Sequence, residues 1–155
     1  MSKLKAGDKA PEFSLLDNDN KQQTLSDYRG KWLILFFYPK DNTPGCTVEA
    51  CQFRDYYADI SAIDTKILGI STDKIDSHAH FISEFHLPFP LLSDDTGSIS
   101  KLYASLFKLG PVKFCKRHSF IIDPEGNIAK IYRKVTPSTH SQQIINDLKA
   151  LQAID

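Results

Sequence analysis

The stretch WLILFFYPKDNTPGC, residues 32–46, joins the longest apolar run of the chain to a cysteine that follows a Thr-Pro-Gly sequence. Its apolar part, residues 32–38, is far shorter than the roughly 20 residues of a membrane-spanning helix and predicts a buried β-strand. The Thr-Pro-Gly sequence predicts a helix start, with Thr43 as the N-cap and proline at the first helical position. Cys46 therefore lies where a buried strand passes into a helix, the usual place for a functional site in an open α/β sheet.

Strand and helix patterns alternate along the rest of the chain. A hairpin is predicted at the N-terminal end, and a Pro-Glu-Gly-Asn turn between two apolar runs predicts another before the last helix. This order predicts an α/β fold with a central mixed sheet flanked by helices. The predicted strands are 12–17, 21–28, 32–38, 66–72, 89–94, 119–123 and 128–135, and the predicted helices are 44–60, 77–85, 97–104 and 138–152. The first helix is expected to turn inward the side chains of Val48, Ala50, Phe53, Tyr56, Tyr57 and Ile60.

Length and charge limit the classes of protein to be considered. A chain of 155 residues predicts one domain, residues 1–155. The 19 basic and 19 acidic residues balance, which argues against nucleic acid or an anionic membrane as a partner, since both attract a concentrated basic surface. The first residues contain no apolar segment typical of a secretory signal, so we expect a cytoplasmic, reducing environment. Three cysteines in such an environment predict catalytic, redox-active or metal-binding roles rather than structural disulfides.

The predicted position of Cys46 favours its thiolate, because a helix start presents free backbone N–H groups and the positive end of the helix dipole. Lowering a thiol pKa from about 8.5 to about 6 requires roughly 3.4 kcal/mol, whereas a helix terminus typically supplies about 0.3–1 kcal/mol. Fast attack also requires stabilisation of the leaving group, for which the Thr43 hydroxyl is suited: it can accept from the helix backbone and donate to the thiolate or the substrate. An inert buried cysteine remains the alternative. The fold must supply a cation, and the candidates are Lys40, Lys113, Lys116 and Arg117.

A second cysteine, Cys51, follows Cys46 by five positions. On an unbroken helix such residues differ by about 140° and rise about 7.5 Å, which places their Cα atoms beyond the limit of about 7 Å for a disulfide. The pair therefore predicts a helical state with separate thiols and an oxidised state with at least one turn unwound. This arrangement favours redox catalysis, with a redox-controlled binding protein as the alternative. A zinc site and a dithiol oxidoreductase are disfavoured, because the spacing matches neither C-x2–4-C nor CxxC.

The segment FYPKDNTPGCTVEACQFRD resembles the active-site segment of peroxiredoxins. It fits the pattern Pro-x-x-x-Thr-x-x-Cys with Pro39, Thr43 and Cys46, and the pair of Cys46 and Cys51 resembles the bacterioferritin-comigratory-protein, or peroxiredoxin Q, subfamily. The resemblance extends over nearly the whole chain, from GDKAPEFSLLD to RHSFIIDPEGNI.

The resemblance implies a thioredoxin-like fold and a thiol-dependent peroxidase that reduces hydrogen peroxide and organic hydroperoxides in antioxidant defence. It implies that Cys46 is the peroxidatic cysteine, that Cys51 is the resolving cysteine, and that Arg117 is the required cation. Thr43 and Pro39 would line and shield the site. The implied reductant is thioredoxin or a glutaredoxin-type donor, with no metal or organic cofactor. Resolution within one chain makes a monomer the expected state.

Some residues near these motifs are expected to have other roles. The resemblance places Glu49 at a recurring acidic position, as a structural partner rather than a catalytic group. Cys115 is expected to be incidental packing or a surface thiol, with a role as alternative resolving or sensor cysteine left open. The histidine expectations are a solvated helix face for His78, His80 and His86, a structural strand position for His118, and a surface position for His140.

Overall fold

The structure is a computed structural model that describes residues 4–153. Strands and helices alternate through most of the chain, as the sequence predicts. The strands are β1 (Ser14–Asp17), β2 (Gln22–Thr24), β3 (Trp32–Phe37), β4 (Thr65–Ser71), β5 (Leu91–Ser93), β6 (Leu106–Leu109), β7 (Val112–Cys115), β8 (His118–Ile122) and β9 (Ile128–Tyr132). The α-helices are α1 (Pro44–Asp55), α2 (Tyr57–Ala62), α3 (Ile75–Phe85), α4 (Ser98–Leu102) and α5 (His140–Gln152), and a 3-10 helix spans Leu25–Tyr28.

Seven of the strands form one mixed sheet in the order β2-β1-β5-β4-β3-β8-β9. Strands β3, β4 and β5 are parallel, whereas β1, β8 and β9 pair antiparallel with their neighbours. Strands β1 and β2 form the expected N-terminal hairpin. The predicted class, a mixed sheet flanked by helices, is confirmed.

The central strand β3 separates two buried apolar clusters, because alternate side chains of a strand enter opposite faces of the sheet. Ile34 and Phe36 pack into the cluster that also contains buried residues of α1, α3 and α5. Leu33 and Leu35 pack into the other cluster, beside Phe120 of β8. This division into two faces determines which distant residues can reach the end of β3.

Three local predictions are corrected. The predicted helix 44–60 is interrupted at Tyr56, which separates α1 from α2. Val48 is 40% exposed, because the buried stripe of α1 follows positions i, i+3, i+4 and i+7 from Cys46 and leaves Val48 outside it. The predicted strand 21–28 ends after Thr24, whose side chain caps the 3-10 helix.

A hairpin that the sequence patterns did not predict follows α4. Strands β6 and β7 pair around a turn at Gly110, which has a φ of 60°. The rings of Phe107 and Phe114 stack with centroids 4.7 Å apart. Within the part of the chain that the structure describes, no helix has the length and apolar character needed to cross a membrane.

Candidate active site

Cys46 lies in the first turn of α1, immediately after the loop that leaves β3. Its side chain is 1% exposed, packed in the cluster that contains Phe36 and Phe53. The helix begins at Pro44 after an extended Thr43, as the Thr-Pro-Gly sequence predicts. A nearly buried thiol thus lies in the first turn of a helix at the carboxyl end of a central strand, where backbone N–H groups favour negative charge.

The cation at this thiol is Arg117, which precedes β8. Because β8 pairs antiparallel with β3 and places His118 opposite Phe37, Arg117 falls just beyond the carboxyl end of β3. Its Nη2 donates to the Cys46 sulfur at 3.4 Å. Lys40, Lys113 and Lys116, the other candidates, make no hydrogen bond to Cys46 within residues 4–153.

Glu49 holds Arg117 from the other side. Its Oε1 accepts from Nη1 of Arg117 at 2.8 Å, and its position three residues after Cys46 puts both side chains on one face of α1. Burial raises the pKa of Glu49 from 4.5 to about 7, although the guanidinium opposes this shift. The carboxyl therefore positions the arginine, the structural role that was expected, and titrates near neutral pH.

The guanidinium itself remains charged. Burial acts to lower the pKa of Arg117, but the neighbouring Cys46 and Glu49 outweigh burial, and the net shift is upward. Gly45 is part of this geometry: a Cβ built there would lie 3.0 Å from Nη2 of Arg117. The glycine before the cysteine thus leaves the space in which the guanidinium reaches the sulfur.

Thr43 and Pro39 lie in the loop before α1, as expected, and both are partly buried. The predicted hydrogen bonds of Thr43 are wrong for this state: its hydroxyl donates to the Lys40 carbonyl at 2.9 Å, and its side chain caps no helix N–H. The turn of the loop from residue 40 to 43 brings that carbonyl within reach of the hydroxyl. Thr43 thereby stabilises the loop three residues before Cys46.

Cys51 occupies the same regular helix as Cys46, and all three cysteines are free. Cys51 is only partly buried, but burial still raises its pKa above the usual value. The charge of Arg54 lowers the pKa, and this effect is the smaller of the two. The structure therefore corresponds to the reduced state in which the two thiols are separate. A bond between them requires α1 to lose part of its helical conformation.

Cys115 lies on the other face of the sheet, in the cluster that contains Leu33 and Phe120. It is completely buried, its sulfur is 3.1 Å from the Ser100 hydroxyl, and burial raises its pKa to about 12. Because the sheet stands between Cys115 and Cys46, the geometry favours a packing role and corrects the surface alternative.

Two histidine predictions are wrong for the same reason. His78 and His140 were expected at the surface, but both are fully buried. Each belongs to the buried stripe of its helix, with Phe81 in α3 and with Ile144 in α5. His140 contacts the Ser119 hydroxyl through Nε2 at 2.8 Å, and burial lowers its pKa.

The expectations for the other three histidines fit the structure. His80 on α3 and His86 just after it are exposed, and His80 lies 3.4 Å from Glu84. His118 is buried and structural, between Ser105 and Arg133, and burial lowers its pKa to about 4.

A nearly buried cysteine beside a guanidinium, at a strand–helix junction of a thioredoxin-like sheet, defines a thiol-based redox protein. The chain matches the AhpC/TSA family over residues 6–131. It is 39% identical over 152 residues to peroxiredoxin Bcp of Bacillus subtilis (strain 168), covering 94% of this chain and 96% of the relative. It is 38% identical over 153 residues to peroxiredoxin Bcp of Escherichia coli (strain K12), covering 96% and 98% of the two chains.

Comparison with solved structures supports the same family. Peroxidoxin BcpB from Mycobacterium tuberculosis superposes with a TM-score of 0.91 at 30% identity, covering 96% of this chain and 99% of that one. The bacterioferritin comigratory protein of Xanthomonas campestris, described with its alkyl peroxide reduction activity, gives a TM-score of 0.85 at 31% identity, covering 90% and 91%. The chain belongs to the AhpC/TSA family and, within it, to the peroxiredoxins of the Bcp and peroxiredoxin Q type.

Proposed function

We propose that this peroxiredoxin reduces hydrogen peroxide and organic hydroperoxides through Cys46. The observation that supports the assignment is the contact of 3.4 Å between the Arg117 guanidinium and a cysteine sulfur at a helix N-terminus. The X. campestris relative named for alkyl peroxide reduction supports organic hydroperoxides as substrates. Enzymes of this family are peroxidases and thus oxidoreductases.

In the first step the Cys46 thiolate attacks one oxygen of the peroxide bond. The O–O bond breaks as the S–O bond forms, so that sulfur is oxidised to a sulfenic acid and hydroxide or alkoxide leaves. The leaving oxygen takes a proton and becomes water or an alcohol. Arg117 and the N–H groups of the first turn of α1 stabilise the developing negative charge, while Pro39 and Thr43 line and shield the thiol.

In the second step the Cys51 thiol attacks the sulfenic sulfur of Cys46. The S–S bond forms, and the oxygen leaves as water with the proton of the Cys51 thiol. Local unwinding of α1 must come first, because the two residues are on one continuous helix. The oxidised protein thus holds one intramolecular disulfide.

A dithiol reductant completes the cycle by thiol–disulfide exchange, and we infer that this reductant is thioredoxin or a glutaredoxin-type donor. The cycle needs neither a metal nor an organic cofactor. We further propose that residues 1–155 form one domain that works as a monomer in the cytoplasm, because resolution within one chain needs no partner subunit.

The test is peroxide-dependent NADPH oxidation with thioredoxin and thioredoxin reductase. The unaltered chain should sustain turnover, and Cys46→Ser should abolish it, because within residues 4–153 Cys46 is the cysteine whose sulfur accepts from Arg117. The control is Thr47→Ser, which keeps a hydroxyl next to the cysteine and should leave turnover unchanged. Oxidation of Cys46 without sustained turnover would contradict the peroxidase assignment and favour the redox-controlled binding protein.

A further inference from the structure

The loop that leads into α1 is held by a buried polar cluster on the side away from Arg117. The cluster consists of residues from the loop after β3, the β4–α3 connection and α3: Tyr38, Asp41, Asp73, Ser77 and His78. Its centre is the carboxylate of Asp41, a residue that is 7% exposed and lies three positions before α1 begins.

Three side chains converge on that carboxylate. Its Oδ1 accepts from the Tyr38 hydroxyl at 2.5 Å, and its Oδ2 accepts from the Ser77 hydroxyl at 2.8 Å. Burial and the nearby carboxylate raise the pKa of Tyr38 well above its usual value, so the phenol stays protonated and donates. His78 Nδ1 lies 2.7 Å from Oδ2.

The ring of His78 also reaches the sheet. Its Nε2 is 2.9 Å from the Leu92 carbonyl, which can only accept. Nε2 therefore donates to that carbonyl, and Nδ1 of the fully buried ring faces the nearly buried carboxylate of Asp41. His78 connects β5, α3 and the loop before Cys46.

The backbone of the same loop is bound as well. The N–H of Asp41 donates to Oδ2 of Asp73 at 2.7 Å. The next residue, Asn42, has a φ of 62° and donates from its side chain to Glu84 of α3 at 3.1 Å. Asp41 thus binds the loop to the segment before α3, and Asn42 binds it to α3 itself.

Oxygen and nitrogen atoms of Asp41, Asp73 and His78 lie within 4.8 Å of one another, a grouping compatible with a metal ion. The hydrogen bonds argue for a different role. Nε2 of His78 donates to the Leu92 carbonyl and its Nδ1 lies 2.7 Å from Oδ2 of Asp41. Oδ2 of Asp73 accepts both from the Asp41 N–H and from the Ser71 hydroxyl. These atoms already have hydrogen-bond partners within the protein, so the cluster has a structural role. We call it the joint, because it holds the loop before α1 against α3.

We propose that Ser77 and His78 are positioning residues that fasten the loop before α1 and thereby restrain the unwinding of that helix after Cys46 is oxidised. This inference rests on the proposed function. The joint ends three residues before Pro44, so it fixes the chain on the N-terminal side of the first helical turn, which contains Cys46. Loosening it lets this turn open more often toward Cys51.

The consequence is a competition between two fates of the Cys46 sulfenic acid. Opening leads to the disulfide with Cys51 and loss of water. A site that stays closed exposes the sulfenic acid to a second peroxide, which transfers an oxygen to sulfur, forms sulfinic acid and leaves as water or alcohol. A tight joint slows the first path and favours the second, so the α3 contacts set sensitivity to overoxidation.

The experiment follows the reduced protein after mixing with one equivalent of hydrogen peroxide, and then with a series of rising peroxide concentrations. Samples are quenched with acid, remaining thiols are alkylated, and mass spectrometry counts sulfenic acid, disulfide and sulfinic acid over time. Ser77→Ala removes one donor to Asp41 without changing the ring of His78. The matched control is Ser83→Ala, an exposed serine on the same helix.

Loss of one hydrogen bond corresponds to roughly a two- to tenfold change in an equilibrium. We therefore expect Ser77→Ala to form the disulfide about two- to tenfold faster than the Ser83→Ala control. The peroxide concentration that converts half of Cys46 to sulfinic acid should rise by a similar factor. Hydrogen exchange of the first turn of α1 in the reduced protein should accelerate as well.

His78 provides a second pair of variants. In His78→Gln the amide approximates the position of Nε2 and keeps a donor for the Leu92 carbonyl, whereas in His78→Asn it approximates Nδ1 and keeps a donor for Asp41. We expect the glutamine variant to behave like Ser77→Ala and the asparagine variant to remain closer to the unaltered chain. A purely structural role would affect both alike.

The outcomes separate this inference from the proposed function. If the unaltered chain formed no sulfenic acid at Cys46 and no disulfide with Cys51, the proposed function would fail. If those products formed, but Ser77→Ala matched Ser83→Ala in disulfide rate, sulfinic acid yield and hydrogen exchange, the positioning role would be overturned. Helix α1 would then open from its C-terminal part.

Discussion

At the scale of single residues, the site depends on one guanidinium that serves two acceptors. Arg117 donates to the Cys46 sulfur through Nη2 and to Glu49 through Nη1. The planar fork of arginine suits this geometry, whereas the ammonium of lysine is a single charged point. The thiol, the arginine and the carboxylate therefore act as one unit.

Replacing the arginine tests this unit. Arg117→Ala removes the donor that stabilises charge on sulfur and on the leaving oxygen, and we expect attack on hydrogen peroxide to slow about 100-fold. Arg117→Lys should recover part of the rate, since the charge returns without the second fixed donor. Stopped-flow measurement of Cys46 oxidation gives both rates. An unchanged rate in the alanine variant would exclude Arg117 as the required cation.

Glu49 predicts a pH dependence of stability. Its folded pKa of about 7 lies above its ordinary value of 4.5, so the folded state binds this proton more tightly than the unfolded state. The contribution is fully present below pH 4.5 and is lost as the pH rises through about 7. A shift of this size corresponds to at most about 3–4 kcal/mol.

Glu49→Gln removes that titration while keeping an acceptor for Arg117. We expect its free energy of unfolding, measured with urea on reduced protein, to change less between pH 5 and pH 8 than that of the unaltered chain. Glu125→Gln, at an exposed position, is the control and should retain the full pH dependence. Parallel curves for both variants would show that Glu49 does not titrate in this range.

At the scale of elements, α1 has two requirements that oppose each other. It must be helical for Cys46 to meet Arg117 and the helix N-terminus, and it must unwind for Cys46 to meet Cys51. Val48 lies between the two cysteines and is largely free of core contacts at 40% exposure. Helix propensity can therefore be changed there without disturbing the packed stripe.

Alanine and glycine at position 48 should separate the two requirements. Glycine is about 1 kcal/mol less favourable than alanine in a helix interior, which corresponds to about fivefold in the opening equilibrium. We expect Val48→Gly to form the Cys46–Cys51 disulfide about five times faster than Val48→Ala, while both variants form sulfenic acid at similar rates. Equal disulfide rates would mean that opening of α1 does not limit resolution.

At the scale of the whole molecule, the sheet separates the cysteines into two groups. Cys46 and Cys51 belong to α1 on one face, whereas Cys115 is enclosed in the cluster on the other face. A disulfide between Cys115 and Cys46 would require the core around Phe120 to open, while the pair on α1 needs only local unwinding. The fold therefore favours Cys51 as the resolving thiol.

Two cysteine variants test this partition. Cys115→Ala should keep full thioredoxin-linked turnover, with a loss of stability from the small cavity and the abandoned contact to Ser100. Cys51→Ser should keep the first oxidation of Cys46, lose sustained turnover and accumulate sulfinic acid. Disulfide mapping after one equivalent of peroxide identifies the bond formed. Full turnover in the Cys51 variant would assign resolution to another thiol.

Much of this protein could be predicted from local patterns. The apolar run of residues 32–38, the Thr-Pro-Gly helix start and the five-residue cysteine spacing follow from short-range sterics and helix geometry, and the order of strand and helix patterns predicted the mixed sheet. The unexpected hairpin of β6 and β7 shows the limit of the same patterns: its exposed apolar residues, such as Leu109 and Val112, have no simple alternation toward a core.

The sequence by itself determined that Cys46 stands at a helix start and that Cys51 cannot bond to it there, because both facts depend on neighbours within a few residues. Residue spacing left four candidate cations, and the family resemblance implied Arg117. Only the tertiary structure shows how that residue, 71 positions from Cys46, reaches the sulfur, which is through the pairing of β8 with β3. Likewise, the burial of His78 depends on which helix face meets the sheet. Contacts between distant segments arise when buried faces pack together, and no local pattern specifies which face that will be.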